Sequence, residues 1–171
     1  MRTIHVETTY LEMLAPPLPE QSMPLDGVNI VRIENPRADW YRNIYQKVGK
    51  NYSWYNRLLI SEVELQHLIS KPGIEIYVLT KEGLECGYAE LDCCNPEIIE
   101  LVYFGVIDEY HGKGLGKFFL NQIIEMVWMR KPKRLWLHTC ALDHPAALVL
   151  YQKAGFKVFE VKMDLQFMPL K

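Results

Sequence analysis

The residues best placed to do chemistry lie in one stretch, Tyr103-Phe104-Gly105-Val106-Ile107-Asp108-Glu109-Tyr110-His111-Gly112-Lys113-Gly114-Leu115-Gly116-Lys117. It reads as a strand, a tight loop and the start of a long helix. Alternating glycines let backbone N–H groups gather around an anion at a helix N-terminus, where the helix dipole also favours negative charge. Lys113 and Lys117 add two positive charges, so a phosphate is the natural ligand. Spacing narrows which one. A P-loop needs GxxxxGK[ST], but Phe118 follows Gly116-Lys117 and His111 stands at the first glycine position. A dinucleotide fingerprint needs GxGxxG in an opening βαβ unit, whereas GxGxG here comes after several strands. The plainer alternative is a glycine-rich turn that binds nothing.

Other residues stand out singly. Glu100 interrupts the apolar run Ile98-Ile99-Glu100-Leu101-Val102-Tyr103-Phe104. A carboxylate there must be partly exposed, paired or functional, because burying it bare is very costly. Without a bulge it shares a strand face with Val102, Phe104 and Val106. Glu90, on the preceding strand, is a second candidate. Tyr151 falls one helical turn from Ala147 and Leu148, and periodicity alone makes it a core tyrosine. Cys86, Cys93, Cys94 and Cys140 form no CxxC pair or zinc spacing and read as reduced thiols. A metal set of Cys93, Cys94, His138 and Cys140 is conceivable but unsupported by spacing, and no metal is expected.

These groups need elements to position them. Residues 3–11 alternate as an edge strand would. Pro16, Pro17, Pro19 and Pro24 make residues 15–24 an extended surface linker. Residues 28–33 have strand composition. Trp40, Tyr41, Ile44, Tyr45 and Val48 fall at helical spacing before Gly49. Ser61-Glu62-Val63-Glu64 is a capping box for a second helix, which Pro72-Gly73 ends. Residues 74–80 and 84–92 form strands joined at Glu82-Gly83, and 97–107 is a further β-rich run. Residues 115–129 make a helix apolar nearly all round, covered on more than one side. Then come a strand at 135–140 and a short helix at 145–154, with Pro145 suited to its first position and Asp143 or His144 to its N-cap. The class is mixed α/β.

Composition sets the outer limits. With 171 residues, 49% hydrophobic and 23% charged, the chain is long enough for one cored domain and is neither disordered nor a coiled coil. A formal net charge of −2 and a pI near 6.2 argue against nucleic-acid binding, which needs a basic field. No run of ~18 apolar residues is present and residues 1–7 lack a signal-peptide core, so a cytoplasmic protein without a membrane span is expected.

Two blocks together resemble the GNAT superfamily of acyl-CoA-dependent N-acyltransferases. That family's loop is Gln or Arg, two residues, Gly, one residue, then Gly or Ala. Gly114-Leu115-Gly116 matches, with His111 replacing the Gln or Arg. Ala147-Leu148-Val149-Leu150-Tyr151-Gln152-Lys153-Ala154-Gly155-Phe156 matches the pattern Ala-x-x-x-Tyr-x-Lys-x-Gly-Phe, with His144 where the family usually has Asn. The resemblance covers residues 28–159. It divides the chain into an N-terminal strand and Pro-rich extension, 1–27, and an N-acetyltransferase domain, 28–171. It implies a central, mostly antiparallel sheet splayed in the middle and flanked by helices.

The resemblance also implies roles. The donor would be acetyl-CoA, its pyrophosphate held by main-chain N–H groups of His111, Gly112, Lys113, Gly114, Leu115, Gly116 and Lys117. Its pantetheine would pair with the strand edge Phe104-Gly105-Val106, Gly105 permitting close approach, with His144 beside it. Glu100 would be the general base that deprotonates a primary amine, directly or through water, and Tyr151 the acid that protonates the leaving thiolate. A main-chain N–H near Val106 would hold the developing oxyanion. The acceptor wall would carry Trp40, Tyr41, Tyr45, Tyr52, Trp54 and Tyr55, fit for an apolar or cationic amine, a peptide N-terminus or a lysine. A homodimer is left open. The rival reading is a non-catalytic acyl-CoA sensor or scaffold.

Overall fold

The computed structural model describes residues 1–20 and 23–170. In chain order the elements are β1 (Arg2–Met13), β2 (Val28–Arg32), α1 (Ala38–Gly49), α2 (Asn56–Leu59), α3 (Glu62–Ile69), β3 (Ile74–Lys81), β4 (Leu84–Asp92), β5 (Ile98–Val106), α4 (Leu115–Trp128), β6 (Arg134–Cys140), α5 (Ala147–Lys153) and β7 (Lys157–Met168). A 3-10 turn, Asp108–Tyr110, joins β5 to the glycine loop. The strands form one sheet in the order β2-β3-β4-β5-β6-β1-β7.

Local chemistry explains most boundaries. Ser61 accepts from the Glu64 N–H while Glu64 reaches back to the Ser61 N–H, closing the capping box of α3. Glu82 and Gly83 both adopt positive φ, 49° and 78°, as a two-residue hairpin between right-twisted strands requires. All pairings are antiparallel except β5–β6, which is parallel and joined by a crossover through α4.

Two apolar layers cover the sheet. On one face Phe119, Leu120, Ile123 and Val127 of α4 pack with Leu91, Ile99, Leu101, Phe104, Leu135 and Leu137. On the other, Tyr41, Ile44, Tyr45 and Val48 of α1 and Leu65 and Ile69 of α3 pack on Ile76, Val78 and Tyr88. Strand β4 is therefore buried on both sides, and the broad apolar surface of α4 keeps a single buried flank.

Several expectations change. The first strand is not at an edge but between β6 and β7. The edge belongs to β7, a strand the sequence reading did not assign. Its alternation of Val161, Met163, Leu165 and Phe167 with Lys162, Asp164 and Gln166 is nonetheless a period-two signal. Helix α5 starts at Ala147, so Pro145 precedes the helix; the Ala146 N–H donates to His144 Nδ1 over 3.0 Å. The expected linker, 15–24, has no regular structure up to residue 20 and from residue 23, and residues 21 and 22 lie outside the described residues. It runs past the end of α5, where Pro17 faces Gly155, and Glu20 pairs with Lys117 at 3.2 Å.

Candidate active site

The site begins where two strands part. Strands β5 and β6 are paired only at Ile98–Arg134, Ile99–Leu135 and Glu100–Trp136. Beyond that vertex their facing edges open into a cleft of about 680 Å³. The glycine loop stands at one end of it. Gly112 and Gly114 hold φ of 77° and 75°, and a Cβ at either would meet nothing within 4 Å. These glycines are there for backbone conformation and open space, not for packing. Helix α4 starts at Leu115 with no side-chain cap, so its first N–H groups are unsatisfied within the helix at the cleft's margin.

The expected donor residues divide. Phe104, Gly105, Val106, His111, Gly112, Gly114, Leu115, Gly116, Lys117 and His144 all line the cleft. Lys113 does not; its Nζ lies 5.5 Å from the Tyr110 ring centroid. Lys117 is there, but ion-paired with Glu20. The Ile107 N–H donates to Cys86 O on the β4 side, so by strand alternation the N–H and C=O of Val106 face the cleft. That carbonyl already has a partner: His111 Nε2 lies 2.6 Å from it. The His111 ring meets His144 at 5.0 Å between centroids, and His144 meets Tyr52 at 5.6 Å. The reason expected for Gly105 needs correcting. A Cβ there would lie 2.4 Å from Val48 Cγ1, so the close approach it permits is that of α1.

Tyr151 also lines the cleft, on the α4 side, in contact with the Phe104 and Phe156 rings. Burial, then the charge of Asp143, pushes its phenol well above the usual value, so it stays protonated. Its hydroxyl has no hydrogen-bond partner among the described residues.

Glu100 does not share the face of Phe104 and Val106, because a bulge intervenes. The β4–β5 register slips between Glu90 and Leu91, which oppose Tyr103 and Leu101, leaving Val102 unpaired. Ile99, Leu101, Phe104 and Val106 face α4, whereas Glu100 and Tyr103 face the α1 side. Glu100 sits at the vertex, opposite Trp136, and is not among the cleft-lining residues. Burial first, then the charges of Asp92 and Glu90, raise its carboxyl to about 7 against the opposing pull of Arg57. Glu90 is tied up: fully buried, it pairs with Arg57 at 2.6 Å and accepts from the Tyr41 hydroxyl at 2.6 Å.

The aromatic wall is partly there. Tyr45, Tyr52 and Trp54 line the cleft; Trp40, Tyr41 and Tyr55 do not. The Trp54 indole donates to Asp143 at 3.0 Å, Tyr52 donates to Asp108 at 2.7 Å, and Gln166 donates to Ser53 O at 3.0 Å. The loop after α1 is thus tied to three separate elements across the cleft. Sequence reasoning missed Asn56, Asp164 and Gln166, which also line it, and weighed His138, another lining residue, only for a metal set. The alternation Leu135, Leu137 against Trp136, His138 could have placed His138 on the face away from α4.

The cysteines are free, and burial raises the Cys86 thiol to about 11 and that of Cys93 to about 12. Cys140 is raised as well, chiefly by burial, which leaves it a poor nucleophile. Among the described residues no three His, Cys, Asp or Glu side chains are grouped to hold a metal ion, and no helix is long and apolar enough to cross a membrane.

A seven-stranded sheet, parted between its single parallel pair above a glycine loop that opens a helix, is the architecture of an acyl-CoA-dependent acetyltransferase. The profile of the acetyltransferase (GNAT) domain matches residues 72–158, just over half of the chain, and the protein belongs to that family. No curated protein matches the sequence. Among solved structures the chain is similar to a conserved Staphylococcus epidermidis protein of unknown function, with TM-score 0.66 and 17% identity over 95% of this chain and 62% of that one. A GCN5-related N-acetyltransferase from Sphaerobacter thermophilus gives TM-score 0.62 and 19% identity, over 94% of this chain and 50% of that one. The ribosomal-protein-S18-alanine N-acetyltransferase from Escherichia coli gives 0.60 and 22%, over 76% and 77%. The chain thus spans only 62%, 53% and 50% of the lengths of the first three structures it matches. These likenesses show the fold.

Proposed function

We propose that the protein transfers an acetyl group from acetyl-CoA to a primary amine by direct attack. The observation that carries this reading is one cleft reaching from the glycine loop, through the parted strands, to the polar side chains on the α1 face, with Tyr151 in its wall. The open space at Gly112 and Gly114 fits a pyrophosphate against the N–H groups of 112–117, with Lys117 beside it. The free edge of β5 at Phe104-Gly105-Val106 suits the peptide-like pantetheine arm. Bound acetyl-CoA supplies an activated acyl carbonyl.

The chain's own groups do the rest. The cleft-facing Val106 N–H can stabilise negative charge on the carbonyl oxygen. Tyr151 holds a proton for the departing sulfur. Glu100, raised towards neutrality, is the terminal base for the acceptor's proton. The acceptor side carries Trp54, Tyr103, Asn56 and Asp164, groups suited to an amine presented as a cation or as a peptide N-terminus. The S18-alanine enzyme among the similar folds makes an N-terminal alanine a fair first substrate to try. The four free thiols fit a reducing cytoplasm.

The test is thiol release from acetyl-CoA with a panel of small amines, lysine peptides and peptides with free N-termini. Acceptor-dependent release supports the reading. A chain that binds acetyl-CoA but transfers to none of the panel is a sensor or scaffold instead.

A further inference from the structure

Glu100 is set back from the cleft, and another residue stands between it and the acceptor. Glu100 pairs with Trp136 at the last joined position of β5 and β6. The next β6 residue on that face is His138, just past the vertex, because Leu135 and Leu137 point to the α4 core. His138 lines the cleft and its side chain is 45% exposed, against 21% for Glu100. His138 Nε2 lies 3.9 Å from Glu100 Oε1, about 1 Å outside hydrogen-bond range. Such catalytic contacts are often long without substrate and tighten when it binds. The imidazole is held by the Tyr10 ring at 5.4 Å and the Trp136 ring at 6.3 Å, and Tyr10 itself is fixed by its bond to Asp164.

We infer that His138 is the group that takes the proton from the acceptor ammonium, with Glu100 behind it as a positioning residue that stabilises the imidazolium. This rests on the amine-transferase reading above and moves the proton-accepting role given there to Glu100 onto His138. The acceptor nitrogen gives up two protons in all. The first passes to His138 before attack and goes on to solvent; the second leaves as the C–N bond forms and the C–S bond breaks, and replaces the proton that Tyr151 gives up. The departing sulfur takes one proton from Tyr151, which is then restored, and one proton is released to solvent.

The surroundings favour a neutral imidazole ready to accept. Burial lowers the His138 value, with Asp143 beyond β6 and Asp164 on β7 opposing and Lys162 on β7 reinforcing. Glu100 faces Asp92 and Glu90 from β4 and Arg57 from α2, and its carboxyl near 7 allows it to ionise when His138 becomes charged.

Two measurements test the inference. In the first, kcat/KM is followed against pH for the parent, His138→Gln, Glu100→Gln and the double variant, with an accepted amine. His138→Gln should fall about 10²–10³-fold at neutral pH and recover as pH approaches the amine's own pKa. Glu100→Gln should fall less, with its acid limb displaced, and the double variant should be no worse than His138→Gln alone. Parent-like activity and pH profile in His138→Gln would overturn the inference and leave Glu100 acting alone. The second needs no turnover: the His138 imidazole is titrated by NMR in the parent and in Glu100→Gln. Loss of the carboxylate should lower the midpoint by about one pH unit; identical midpoints would overturn the pairing. A parent inert on every amine defeats the transferase reading, and the titration still decides whether the pair exists.

Discussion

The imidazole of His111 donates to the carbonyl of Val106, five residues earlier, over 2.6 Å. The contact folds the glycine loop back onto the edge of β5 and occupies an acceptor that the proposed pantetheine pairing would need. His111→Ala frees that carbonyl. Acetyl-CoA should then bind roughly five-fold tighter by calorimetry, the equivalent of about one net hydrogen bond. Weaker binding in the variant would mean that the ring itself touches the donor.

Gly114→Val should cost donor affinity by two routes that a comparison separates. At φ 75° any side chain strains the backbone, by about 1–2 kcal/mol, although the space around a Cβ is open. Gly114→Ala carries a milder form of that strain with less bulk. Both should lower the melting temperature, the β-branched valine more, while only the valine should reduce coenzyme A affinity by more than about ten-fold. Equal affinity in valine variant and parent would remove the loop from the donor site.

Tyr151→Phe removes a hydroxyl with no partner among the described residues, so the fold should lose little. Turnover should drop about 10²–10⁴-fold with donor affinity nearly unchanged, since only proton delivery is lost. Unchanged turnover would reject the acid role.

Glu100 also sets a pH dependence of stability. Its folded value, about 7, lies above its ordinary 4.5, so the fold favours the protonated form. Stability from this group is complete below about pH 4.5 and is lost as pH rises through 7. Glu100→Gln avoids that loss. It should melt higher than the parent at pH 8, by on the order of 2 kcal/mol, and the gap should close by pH 5. A gap independent of pH would show that the carboxyl is not raised.

What the sequence disclosed was what short spacing can carry. The turn glycines at 112 and 114, the capping box at Ser61 and the hairpin at Glu82-Gly83 are local, and each takes the backbone conformation its chemistry demands. The Tyr151 block was legible for the same reason. The vertex at Glu100–Trp136, the bulge at Val102 and the nearness of His138 to Glu100 depend on pairing between strands distant in the chain. No local pattern encodes that pairing, so the face of Glu100 hung on a bulge the sequence does not announce, and His138 was weighed only for a metal set. Gly105 shows the limit from the other side: the need for a glycine was visible, but not that Val48 imposed it.

The place of β1 between β6 and β7 bears on how the chain reaches its folded state. Arg2 pairs with Met168 and Thr8 with Cys140, so β1 finds its partners only in strands made much later. At about 5–20 residues per second, β1 waits many seconds with an unpaired, partly apolar edge. Closure of that half of the sheet is then a late, high-contact-order event, slow beside the hairpin β3–β4. In pulse-labelled refolding, the amides of β1 should gain protection together with those of β7 and after those of β3 and β4. Deleting either β1 or β7 would unfasten the same seam.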